Sequence, residues 1–139
     1  MSAGHEAAAR RSWEIMRGLV LDHDRRKDVS DALGMSFLKA KALRALTQEP
    51  ATLRVLAATL AVDAPYATII VDDLEGRGLV TRTVHPEDRR ARLVDLTPDG
   101  RVAAATADRM LSEPPAVLRE LDSGRLRALE ALLSALVAD

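Results

Sequence analysis

Residues 63–96, DAPYATIIVDDLEGRGLVTRTVHPEDRRARLVDL, decide the fold. Asp63 offers a capping oxygen, and Pro65 follows in the first turn, where a missing N–H costs nothing. Ala67, Ile70, Val71 and Leu74 then recur at helical spacing and form one apolar stripe. Glu75-Gly76-Arg77-Gly78 stops that helix. Residues 79–84 and 92–96 are rich in β-branched and apolar side chains, as strands are. The linker between them, HPEDRRA, is too polar to bury and must project.

Upstream, Thr52 suits the N-cap of a short helix over residues 53–59, with Leu53, Leu56 and Leu60 facing inward. Ala61-Val62 makes the tight turn into Asp63. A short helix, a turn of a few residues and a second amphipathic helix form a helix-turn-helix. The long-tipped hairpin directly behind it makes the unit a winged helix-turn-helix. That plan offers residues 63–77 to a DNA major groove and residues 85–91 to the backbone or minor groove.

The remaining chain reads as helices. Residues 6 to about 32 form one long helix, in which Trp13, Met16 and Val20, flanked by Ile15 and Leu19, make a broad apolar stripe. Asp22 pairs with Arg26 across one turn of it. Gly34 suits a left-handed stop, and Ser36 caps a helix over residues 37–46. That helix buries Leu43 and Leu46 and exposes Lys39, Lys41 and Arg44. Residues 47–51 form a loop broken by Pro50. Thr97-Pro98-Asp99 starts a helix that runs to about Ser112. Pro114-Pro115 breaks it, residues 115–121 resume it, and Ser123 caps a last helix. There Leu126, Leu129, Leu133 and Leu136 repeat at 3, 4, 3, as a coiled-coil seam does. A winged helix-turn-helix has little need of terminal helices in its own core, so the seam and Trp13 are assigned to a dimer interface. The expected fold is mainly α with a small β-hairpin. Residues 1–139 form one unit, with a winged lobe at 33–97 and dimerisation helices at 1–32 and 98–139.

Composition limits the function. The chain is 47% hydrophobic and 29% charged, which is globular rather than disordered. Only 2% is aromatic, so Leu, Val and Ala must fill the core. With no cysteine, disulfides, thiolate metal sites and cysteine redox sensing are excluded. No run of about 18 apolar residues exists for a membrane span, and the N-terminus MSAGHEAAARR lacks the apolar run of a signal peptide. No membrane partner and a cytoplasmic location are expected. The net charge of −1 means that any nucleic-acid binding must come from local arrangement.

With these motifs in place, the chain resembles the MarR family of bacterial transcriptional regulators. Leu33-Gly34-Met35-Ser36 is similar to the family's entry to the second helix. VDDLEGRGLV at 71–80 is similar to the end of its recognition helix. His85-Pro86-Glu87-Asp88-Arg89-Arg90-Ala91 resembles its wing tip, and Leu96-Thr97-Pro98-Asp99-Gly100 resembles its entry to the dimerisation helix. The resemblance covers essentially the whole chain. It implies a homodimer held by terminal helices and two winged lobes on a near-palindromic double-stranded DNA operator. It also implies a repressor, relieved by a small aromatic ligand in a cleft beside the DNA-binding lobe. The sign of regulation stays open.

On this footing the DNA-facing set is Ser36, Arg54, Ala64, Pro65, Tyr66, Thr68, Ile69, Asp88, Arg89, Arg90 and Arg92. Tyr66 and Thr68 are the polar side chains near the base edges, while Ala64 and Pro65 allow close approach or contact with a thymine methyl. The resemblance departs at Ile69 and Asp73, where relatives often carry a cation. Residues 63–96 hold five arginines against seven acids. Binding must therefore lean on the wing and on Lys39, Lys41 and Arg54. In the wing, Asp88 pairs with Arg90 and stiffens the tip. Trp13, Met16, Met35 and Leu38 are candidates to line the ligand cleft, and equally ordinary core. The alternative is a winged-helix protein-interaction module with weak or lost DNA binding.

Enzymatic and metal readings lack residues. His5, His23 and His85 are scattered, and no serine sits in a nucleophile elbow. GRG at 76–78 is a helix stop rather than a phosphate loop. His85 fits a support of the wing base or a solvent-facing side chain better than a metal ligand. Asp22-His23-Asp24 is a poor metal set, because adjacent helical residues do not share a face. No catalytic residue, metal or cofactor is expected.

Overall fold

The computed structural model describes residues 2–138. Its elements run α1 (Ala3–Asp22), α2 (Arg26–Leu33), α3 (Phe37–Ala45), β1 (Ala51–Thr52), α4 (Leu53–Leu60), α5 (Ala64–Gly76), β2 (Val80–Val84), β3 (Arg92–Leu96), α6 (Pro98–Ser112), α7 (Ala116–Arg119) and α8 (Ser123–Val137). The fold is mainly α with a small sheet, as the apolar periodicities require.

Side-chain oxygens start the helices of the lobe. Ser36, Thr52, Asp63 and Thr97 each accept a hydrogen bond from the backbone N–H three residues on. Each such cap is worth about 1 kcal/mol. Gly34 ends α2 at φ +64, and Gly78 follows α5 at φ +76. Both sit in the left-handed region where a side chain is unfavourable.

The apolar stripes close on one core. Leu43 and Leu46 from α3 meet Leu56 and Leu60 of α4, Ile70, Val71 and Leu74 of α5, and Val80 and Val94 of the strands. A second cluster joins Val29 of α2, Ala40 of α3 and Ala107 of α6. Small residues at 40 and 107 let those helices approach closely. Gly100 has a similar role: a Cβ there would lie 1.9 Å from the Leu79 carbonyl oxygen. The same carbonyl accepts from the Thr97 N–H, so the start of α6 is pressed against the base of the wing.

Several expectations need correction. The long N-terminal helix is two helices, broken at residues 23–25. Asp24, not Asp22, is the partner of Arg26: its carboxylate accepts from the Arg26 backbone N–H at 2.9 Å and from the guanidinium at 2.6 Å. This local ring turns the chain, and it holds the Asp24 carboxyl below its ordinary range. The sheet has three strands rather than a bare hairpin, in the antiparallel order β1-β3-β2, because Ala51 and Thr52 pair with Val94 and Leu93. Two residues are too few to show a period in sequence. The last helix is capped by Asp122, whose carboxylate accepts from Arg125 N–H, rather than by Ser123. Lys39 and Arg44 are half-buried and paired rather than free: Lys39 Nζ lies 3.1 Å from Asp73, and Arg44 lies 3.0 Å from Asp108.

No residue of α1 or α8 is buried. Among the described residues, no single helix is long and apolar enough to cross a membrane.

Candidate nucleic-acid interface

α4 and α5 turn through 104°, within the range of a helix-turn-helix. Ala61 makes that turn in the left-handed region at φ +56. Ala67, Ile70, Val71 and Leu74 anchor α5 in the core, which leaves its opposite side facing solvent. Pro65 and Ile69, four residues apart, stand on that outward side, beside Tyr66. Ile69 is 58% exposed and Tyr66 44%. Ala64, Pro65 and Thr68 are exposed as well. The Thr68 hydroxyl donates to the Ala64 carbonyl, so its proton is spent inside the helix.

The charges along the far half of α5 are committed to the lobe. Asp73 is bonded at 2.7 Å by Arg77 Nε and lies 3.1 Å from Lys39 Nζ, and Arg77 also donates to the Gly34 carbonyl. The Arg77 bond first, then the Lys39 ammonium, holds the Asp73 carboxyl below its ordinary value of 3.8. Arg82 on β2 reaches back to Asp72 at 2.5 Å and to Glu75 at 3.4 Å. These two clusters fix α5 to α3 on one side and to the wing on the other. Sequence reading missed both: nothing local marks the pairs of Lys39 and Arg82, made across different elements, although Asp73 and Arg77 stand four residues apart.

β2 and β3 pair in register from Val80↔Leu96 to Val84↔Arg92. The tip is closed by His85 N–H to the Ala91 carbonyl and by Ala91 N–H to the Asp88 carbonyl. His85 supports it further, with Nδ1 accepting from Glu87 N–H at 3.0 Å. Asp88 does stiffen the tip against Arg90, but through the Arg90 backbone N–H rather than an ion pair. Arg92 braces the same loop by donating to the Arg89 and Ala91 carbonyls. Among the described residues, neither the Arg89 nor the Arg90 guanidinium has a protein partner, and both residues are exposed.

Arg54, Arg90 and Arg92 meet around a recess of about 250 Å³, which Thr52, Leu53 and Ala91 complete. The start of α4 thus lies against the root of the wing tip, and three guanidinium groups border one hollow. Ser36 is exposed and spends its hydroxyl oxygen on capping α3.

Residues 33–91 match the model of the MarR family. Over this stretch, which spans the winged lobe, the chain is similar to the MarR family. Solved structures agree over nearly its whole length. The regulator BldR from Sulfolobus solfataricus is 28% identical, with a TM-score of 0.61, covering 97% of this chain and 99% of that one. The regulator Tm0710 from Thermotoga maritima shares 21% identity and a TM-score of 0.76 over 91% of this chain and 92% of its own. CouR, a transcriptional repressor solved on a 23-mer DNA duplex, is 26% identical, with a TM-score of 0.62 over 91% and 92% of the two chains. No curated protein matches the chain in sequence.

The MarR fold separates the residues suggested for a ligand cleft. Met35 is buried in the core, and Leu38 packs against it. Trp13 and Met16 instead border a shallow apolar hollow on α1 with Arg17, Val20 and Leu21. A recess of about 500 Å³ lies between α3 and α6 and is lined by Arg44, Thr47, Gln48, Arg101, Ala104, Ala105 and Asp108. The Asp22-His23-Asp24 set also disperses: His23 Nδ1 lies 2.9 Å from the Leu19 carbonyl, while Asp24 holds Arg26.

Proposed function

We propose that this chain is a MarR-family regulator that acts in the cytoplasm as a homodimer, binds near-palindromic double-stranded DNA and represses transcription. α5 enters the major groove and the wing reaches the backbone or minor groove. The observation that carries the reading is the grouping of unpartnered arginines, Arg89 and Arg90 at the tip and Arg54 at its root, beside the outward face of α5. CouR, a relative with the same fold, was captured on a DNA duplex. The protein-interaction alternative drew on Ile69 and Asp73. Asp73 supports it less once its charge is spent on Lys39 and Arg77.

Dimerisation through residues 1–32 and 98–139 is supported by the bare terminal helices. α1 exposes Trp13, Ile15 and Val20, and α8 exposes Leu126, Leu133 and Leu136 with Leu129 half-covered. Helices of this length gain their stability from packing an apolar face, and a second copy supplies the cover. α2 and α6 are exceptions within this division, since Val29 of α2 and Ala104 and Ala107 of α6 are buried in their own chain. Relief by a small aromatic ligand belongs to the same reading. The α3–α6 recess has ligand size and two guanidinium groups, and any ligand there that weakens DNA binding is itself weakened by DNA to the same degree.

The test of the wing is the double variant Arg89→Ala/Arg90→Ala in fluorescence titrations of a duplex at several salt concentrations. The variant should bind more weakly, with a salt slope shallower by about 1 for each phosphate that the arginines no longer neutralise. An unchanged slope removes the wing from the mechanism.

A further inference from the structure

The face that α5 turns outward has an unusual chemistry for a helix that reads bases. Nowhere in Ala64–Gly76, APYATIIVDDLEG, is there an arginine, lysine, asparagine, glutamine or histidine. Arginine and lysine pair with the O6 and N7 edge of guanine, and asparagine and glutamine pair with adenine. Those hydrogen-bonded readings are therefore closed to this helix. The nearby cations do not replace them. Arg77 and Lys39 hold Asp73, and Arg82 holds Asp72 and Glu75. The acids, which elsewhere accept from the cytosine amino group, are drawn by the same pairs towards the protein. The Thr68 proton is spent on the Ala64 carbonyl.

What remains at the crest, apart from the Tyr66 hydroxyl, is apolar. Ile69 is 58% exposed, and Pro65 precedes it by one turn on the same side, with the Thr68 side chain next to it. An apolar side chain held in water gains free energy only by meeting another apolar group. The one apolar group on the floor of the major groove is the C5-methyl of thymine.

We infer that Ile69, with Pro65 and Thr68, reads the C5-methyl groups of thymines, so that each half-site of the operator is anchored on thymine rather than guanine. This rests on the reading that α5 enters the major groove. It makes Ile69 a specificity-determining residue. Affinity then comes from the wing and phosphate contacts, and discrimination comes from methyl burial.

The experiment uses the full chain and base analogues, with one variant as a control. Duplexes are selected from a randomised library at low salt. In the selected sequence each thymine is replaced, one at a time, by deoxyuridine, which keeps the pairing edge and removes only the methyl. At thymines in the centre of each half-site, binding should weaken about four-fold per methyl removed. Ile69→Ala, a change at an exposed position, should lose most of the difference between the thymine and uracil duplexes. Equal affinity of the unaltered protein for both duplexes overturns the inference, as does a selected site anchored on G·C pairs. The two levels separate cleanly: salt-dependent binding without thymine dependence overturns this inference alone, whereas no duplex binding at low salt overturns the proposed function with it.

Discussion

Asp73 joins three parts of the lobe through one carboxylate: Lys39 at the start of α3, Arg77 at the end of α5, and, through Arg77, the Gly34 carbonyl in the turn before α3. An acid on the recognition helix looks hostile to a polyanion when only the sequence is in view. Its partners turn it into a fastening instead. Because the folded-state carboxyl is depressed, its stabilisation is complete above the ordinary value of 3.8 and is lost as pH falls through the lower folded value. Asp73→Asn should lower Tm by a few degrees near neutral pH, and the gap from the unaltered protein should close below about pH 4. Thermal melts across that range check this; a gap that stays constant down to the most acid buffer would remove the ion pair from the account. The caps at Ser36, Thr52, Asp63 and Thr97 were legible in sequence, because a cap spans only three residues. The Lys39 partner of Asp73 and the partners of Arg82 were not, because they lie on other elements and no local pattern encodes them; Arg77, four residues after Asp73, stands at ordinary helical pair spacing.

At the scale of elements, the contrast between the lobe and the terminal helices is the main fact. α3, α4, α5 and the strands share a filled core, while α1 and α8 bury nothing. The lobe was legible because its stripes have partners within a few dozen residues. The 3, 4, 3 leucine repeat of α8 was also legible, but a repeat does not say whether its cover comes from the same chain. The break at residues 23–25 was hidden for another reason. Asp24 and Arg26 are acceptable in a helix, and it is their mutual hydrogen bonding that diverts the backbone. If a second copy covers the α8 seam, Leu133→Asp places a charge in the middle of an apolar contact. The unaltered protein should then sediment at twice its 15.1 kDa chain mass at micromolar concentration, and the variant at the mass of one chain. Two species of equal mass would place the interface elsewhere.

For the whole molecule, a net charge of −1 and a DNA-binding role are reconciled by placement. Asp72, Asp73 and Glu75 are neutralised inside the lobe, while Arg54, Arg89 and Arg90 lie at or near its tip without such partners. Local field rather than net charge governs approach to a polyanion within a Debye length of about 8–10 Å. The fold of the lobe and its wing could be read from residues 63–96 together with the capped helices before them. The commitment of each charge required the folded chain. The most direct measurement is the affinity of the full chain for the duplex upstream of its own gene, taken from low to physiological salt. Binding through this face predicts tight association at low salt and a linear fall of log K with log salt, at a slope near −0.9 for each phosphate contacted. No binding at low salt, or an affinity indifferent to salt, would contradict it.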